Sequence, residues 1–124
     1  MRARRFLFPV IGLSLMLAAS SALASALSDM ANIVMGLNHH PSAAEKQTLK
    51  MIIDNGASAP WERTIATAIM NLDHHASPAD KKKLQGLMQD DSVPEAGREL
   101  AGIVANINHK PSAEDKGKLR KMLE

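Results

Sequence analysis

The stretch "NHHPSAAEK" at residues 38–46 returns as "DHHASPADK" at 73–81 and again as "NHKPSAEDK" at 108–116. The first histidine of each copy, His39, His74 and His109, stands 35 residues from the next. The register runs well past the quoted phrase. Ala31, Ala66 and Ala101 align, as do Leu37, Leu72 and Ile107, then Lys46, Lys81 and Lys116, then Leu49, Leu84 and Leu119. A fixed period of this size marks one supersecondary unit repeated along the chain.

Each unit reads as two helices. Upstream of the first histidine, Met30, Ile33, Val34 and Leu37 fall at i, i+3, i+4 and i+7, a single helical stripe. Ile65, Ile69 and Leu72 repeat it, followed by Leu100, Ile103, Val104 and Ile107. Downstream, Leu49, Ile52 and Ile53 form a second stripe, echoed by Leu84, Leu87 and Met88 and by Leu119, Met122 and Leu123. The lysines between these stripes, among them Lys46, Lys50, Lys82 and Lys83, read as a solvated face.

The repeated phrase sits between the helices. Asn38, Asp73 and Asn108 stand where a first helix ends, and Asn tolerates the left-handed turn expected there. Pro41 and Pro111 stop helix from running through. Ser42 with Glu45 forms a capping box, and Ser77 with Asp80 and Ser112 with Asp115 repeat it with a shorter acid that closes the box less well. "DNGASAPW" and "DDSVPE" separate the units. The expected fold is all-α: three tandem 35-residue helical hairpins, six short helices, stacked as a small array, with a compact six-helix bundle as the alternative. The units span about 27–61, 62–96 and 97–124.

The N-terminus reads differently. Arg2, Arg4 and Arg5 precede an apolar run from Phe6 to Ala19, and "ALA" at 22–24 supplies small residues before a cut. A basic head, a short apolar core and an A-x-A site are the parts of a secretory signal peptide. The expectation is a signal peptide over 1–24, a single domain over 25–124, and an exported, periplasmic or secreted, product without a stable membrane span. Of 15 Lys+Arg against 13 Asp+Glu, three arginines leave with the leader, so the remainder stands at 12 against 13. That near-neutral balance gives no electrostatic footing for nucleic acid. There is no cysteine, so neither disulfides nor thiolate metal sites are available. Beyond the leader Trp61 is the one aromatic residue, which leaves a core of Ala, Leu, Ile, Val and Met.

The five histidines, His39, His40, His74, His75 and His109, all lie in equivalent loops. Two roles follow. One is structural: the first histidine of each pair serving the last carbonyls of a helix. The other is metal, since neutral imidazole suits Zn, Cu and Ni. With hairpins stacked in a row at ~8–10 Å, two neighbouring loops reach one ion and three do not. Histidines near helix C-termini are also expected to hold protons more readily when folded. The six methionines beyond the leader are expected mainly to pack. No catalytic pattern emerges: Asp73, His74 and Ser77 lack an oxyanion loop, no P-loop or H-E-x-x-H is present, and the carboxylates fall on helix starts expected to be exposed. The sequence therefore favours a noncatalytic helical-repeat module that binds another protein, with a Zn, Cu or Ni binder using the loop histidines as the alternative.

Overall fold

In a computed structural model, the structure describes residues 26–124. The leader expected over 1–24 lies outside them. Six helices are present among the described residues: α1 (residues 26–35), α2 (Ala43–Asp54), α3 (Pro60–Met70), α4 (Pro78–Met88), α5 (Glu95–Ala105) and α6 (Ala113–Met122). The all-α reading holds. No described helix is long and apolar enough to cross a membrane.

The helix starts follow from their caps. The Glu45 N–H donates to Ser42 Oγ at 3.1 Å while the Ser42 N–H donates to Glu45 Oε1 at 2.8 Å, a closed capping box. At Ser77 and Ser112 only the forward bond forms, from the Asp80 and Asp115 N–H groups, because the shorter acid does not return the bond. Between units, Arg63 reaches back from α3 to the Asn55 and Gly56 carbonyls, at 3.0 and 3.3 Å, where α2 ends. In the equivalent turn Asp90 accepts from the Ser92 N–H and hydroxyl at 2.9 and 2.6 Å, and those bonds, the hydroxyl's foremost, hold its carboxyl below the usual aspartate range.

The predicted stripes all turn inward onto one core. Met30, Val34, Leu49, Ile65, Ile69, Leu84, Leu100, Val104 and Leu119 are fully buried within it. Burial is uneven between the two helices of a unit. The first helices α3 and α5 bury five and seven of their eleven residues, whereas the second helices, α2, α4 and α6, bury one or two apolar residues each. The second helices thus clothe an inner layer and turn their lysines outward: Lys46, Lys50, Lys82 and Lys83 are exposed.

Two features differ from the hairpin picture. First, α2 packs along α3 and α4 along α5 more extensively than α3 packs on α4 or α5 on α6. Among α2 to α6 the tightest pairs are therefore formed across unit boundaries, where the connections are short, and the histidine loops of the second and third units join helices that pack less closely. Second, α3 packs directly against α5, so the inner helices of successive units touch. Of the two arrangements expected, the compact bundle describes how the units meet.

The carboxylates correct a further expectation. Glu62 and Asp80, on the first turns of α3 and α4, are buried rather than exposed, at 0% and 8% accessibility. Glu62 accepts from the Ala59 N–H at 2.6 Å with one oxygen, while its second oxygen has no hydrogen-bond partner. A capping carboxylate on a helix that other helices cover is carried inside with its helix.

Trp61 makes the most confined contact. A Cβ placed on Gly97 would stand 2.9 Å from Trp61 Cζ3 and 3.0 Å from Val93 Cγ1, so the indole occupies the space a side chain would need. Gly86, in α4, meets nothing within 4 Å. Gly97→Ala should therefore destabilise the fold by about 1–3 kcal/mol through overpacking. Gly86→Ala should stabilise it by up to about 1 kcal/mol through helix propensity alone. Urea unfolding followed by Trp61 fluorescence checks both signs.

Candidate metal centre

The three repeated loops do not lie in a row. They converge. The His39 N–H donates to the His109 carbonyl at 2.6 Å, the His74 N–H to the His39 carbonyl at 2.7 Å, and the His109 N–H to the His74 carbonyl at 2.6 Å. Residues 35 apart in sequence thus close a cycle of three backbone hydrogen bonds, which gives the loops an approximate threefold arrangement. The expectation that three loops could not share one ion rested on a linear stack and fails here.

Local sequence explains how each loop tip reaches the cycle. Leu37, Leu72 and Ile107 are buried just before it, at 4, 2 and 3% accessibility, and Pro41, Ala76 and Pro111 are buried just after it. Each loop is pinned on both sides, and the three positions available between the pins must turn sharply. The His40 N–H donates to the Asn38 carbonyl at 2.9 Å, closing a three-residue turn with His39 at its tip.

That turn puts the backbone of His39, His74 and His109 at φ 71°, 70° and 70°, and they are the non-glycine residues with positive φ among those described. The left-handed residue is the histidine, one position later than the Asn38, Asp73 and Asn108 expected from sequence. A side chain in this region costs roughly 1–2 kcal/mol that glycine would avoid. The chain therefore places imidazoles where the backbone alone would favour glycine.

The three rings gather over the cycle. Their centroids lie 4.8 to 5.0 Å apart, with His39 and His74 tilted by 31° and His109 nearly perpendicular to both, at 86° and 81°. One ring nitrogen from each lies within 4.8 Å of the others. His39 Nδ1 and His109 Nδ1 are 3.2 Å apart, so one of them donates and the other accepts. His74 Nδ1 lies 3.0 Å from Asp73 Oδ1. None of these side chains bonds a terminal helix carbonyl, so the capping role expected for the first histidines is replaced by ring-to-ring contact. Backbone groups finish the helices instead: the Asn71 N–H donates to the Thr67 carbonyl and the Leu72 N–H to that of Ile69.

The second histidines stand apart. His40, His75 and Lys110 are exposed on the outer side of their loops, and His40 Nδ1 pairs with the Pro41 carbonyl at 3.2 Å. Of the five histidines singled out by sequence, the structure brings three together and leaves His40 and His75 outside the group. Asp73 is the contact that sequence reasoning did not assign; its only signal was being the one charged residue at a position otherwise held by Asn.

His39 sits below the ordinary histidine pKa of 6.5, first because the crowded cluster strips hydration from its charged form, then because His74, His109 and His40 repel a proton. Asp73 opposes this. The shift reverses the one expected from helix ends, where the dipole favours the cation.

Among the protein-family models, curated proteins and solved structures compared with the chain, none matches it.

Two outcomes follow from the loop geometry. Because a depressed histidine pKa favours the neutral form in the folded state, the contribution of His39 is full above the unfolded value of about 6.5 and is lost as pH falls through its lower folded value. Urea midpoints of the metal-free protein should decline on acidification below about pH 6.5, and less steeply in His39→Gly. Separately, His74→Ala should cost about 1 kcal/mol more than His74→Gly, since only the alanine keeps the left-handed penalty. Equal midpoints for the two variants would contradict the strained tip.

Proposed function

We propose that this is a noncatalytic transition-metal-binding protein that holds one divalent ion, Zn, Cu or Ni, through His39, His74 and His109. The observation carrying this reading is the convergence of three imidazoles, each on a left-handed residue that glycine would fill more cheaply. Strain held at three equivalent positions points from structure to function. The spacing suits an ion: metal–nitrogen bonds of ~2.0–2.1 Å set two ligands of a tetrahedral ion ~3.3–3.4 Å apart. The His39 and His109 nitrogens are already at 3.2 Å, and the remaining separations, up to 4.8 Å, are within what rotation of an imidazole about its own bonds covers. Three neutral nitrogens at the surface leave a further coordination position open to water or to a donor from another molecule.

The basic head and apolar run of the leader support an exported, periplasmic or secreted, setting for this role. Binding of another protein is the second reading. It is favoured by Met51, 72% exposed on α2 beside a surface depression lined by Gln47, Lys50, Asp54 and Asn55.

Calorimetric titration of the purified, metal-free protein with Zn, Cu and Ni, paired with native mass spectrometry, should give one ion per chain. Replacing His39, His74 and His109 together with Gly should abolish uptake while the fold persists. His40→Ala with His75→Ala should leave it intact. Uptake that survives the triple replacement, or that depends on His40 and His75, rejects the site.

A further inference from the structure

The three loops are alike in backbone but differ in the residue before the ligand histidine: Asn38, Asp73 and Asn108. Only Asp73 bonds its neighbour, with Oδ1 3.0 Å from His74 Nδ1. An ionised carboxylate accepts and cannot donate, so the proton of that bond belongs to Nδ1. The lone pair of His74 is then on Nε2. His39 and His109 face each other through Nδ1 at 3.2 Å, one nitrogen carrying the proton between them, and no fixed acceptor prevents that proton from passing to the Nε2 of its own ring and freeing both Nδ1 lone pairs.

We infer that Asp73 is a positioning residue of the metal site: it fixes His74 as the Nδ1–H tautomer and commits it to ligate a divalent transition ion through Nε2, while His39 and His109 ligate through Nδ1. The inference rests on the metal-binding reading above and adds to it a ligand-by-ligand assignment. The physical basis is that a ligating histidine is held by whatever accepts its other N–H, which fixes ring orientation and raises ligand basicity. The carboxylate also places a negative charge beside the cation. Asn38 and Asn108 supply neither effect, so the approximate threefold arrangement of the backbone carries an asymmetric donor set. His74 and Asp73 are 47% and 81% exposed as side chains, so their pairing adds little to stability. Asp73→Asn therefore tests the site with the fold kept intact.

The test uses the 15N-labelled full chain, wild type and Asp73→Asn, with long-range 1H–15N correlation of the histidine rings before and after addition of zinc. In the metal-free wild type His74 should be the Nδ1–H tautomer, and zinc should move its Nε2 resonance and the Nδ1 resonances of His39 and His109. Asp73→Asn should shift metal-free His74 toward the Nε2–H form and weaken zinc binding by about 10–100-fold, with an unchanged urea midpoint. If the wild type binds zinc but His74 is already Nε2–H, or if Asp73→Asn binds zinc as tightly, the role of Asp73 is overturned and the metal site stands. A wild type that ignores zinc overturns both, and the His74 tautomer then reports only the local hydrogen bond.

Discussion

The cycle of backbone hydrogen bonds among His39, His74 and His109 is the constraint on which the rest of the molecule depends. Each of these residues spends its N–H on one neighbouring loop and its carbonyl on the other, so no loop can leave without unpairing a donor and an acceptor. Three loop tips held at one place require three units disposed around them. That arrangement explains why α3 and α5 are the more deeply buried helices and why α2, α4 and α6 show the core only a narrow edge. The strain of a left-handed histidine is borne by the anchors beside it, Leu37 and Pro41 in the first loop and their counterparts in the others.

The sequence disclosed the unit well and the assembly poorly. Periodic Met30, Ile33, Val34 and Leu37 and their copies announced the helices, and Ser42, Ser77 and Ser112 announced where the second helices begin. Both are local matters of hydrophobic spacing and hydrogen bonding. A 35-residue period, however, says nothing of the rotation from one unit to the next, and that rotation separates a row from a ring. The histidine cluster was hidden for this reason. The identity of the left-handed residue was hidden for another: Asn is the better intrinsic candidate, and only the burial of residues on either side of the tip places the turn at His39 instead of Asn38. Glu62 misled in the same way, since a helix-start carboxylate reads as exposed until neighbouring helices are known to cover it.

The units are equivalent in backbone and unequal in content. Trp61 corresponds to Ala26 and Ala96 in the other units, and Gly97 corresponds to Leu27 and Glu62. The indole laid on Gly97 therefore occurs only where α3 meets α5, and the Arg63 bonds to the end of α2 occur only at the first boundary. These unlike contacts fix which unit neighbours which. A cycle built from identical copies would leave that order open, and mispaired alternatives would cost nothing.

A ring of three has three junctions, but a single chain passing through it supplies only two of them as covalent connections, residues 55–59 and 89–94. The remaining junction, between the first and third units, is a seam. At the loop tips it is fastened by the His39 N–H on the His109 carbonyl and by the 3.2 Å approach of their imidazoles. Any swing of a whole unit away from the others meets least resistance from the chain at that seam, because no linker there is stretched. An ion bridging these two side chains would act as a clasp on the one gap that the polypeptide does not sew shut.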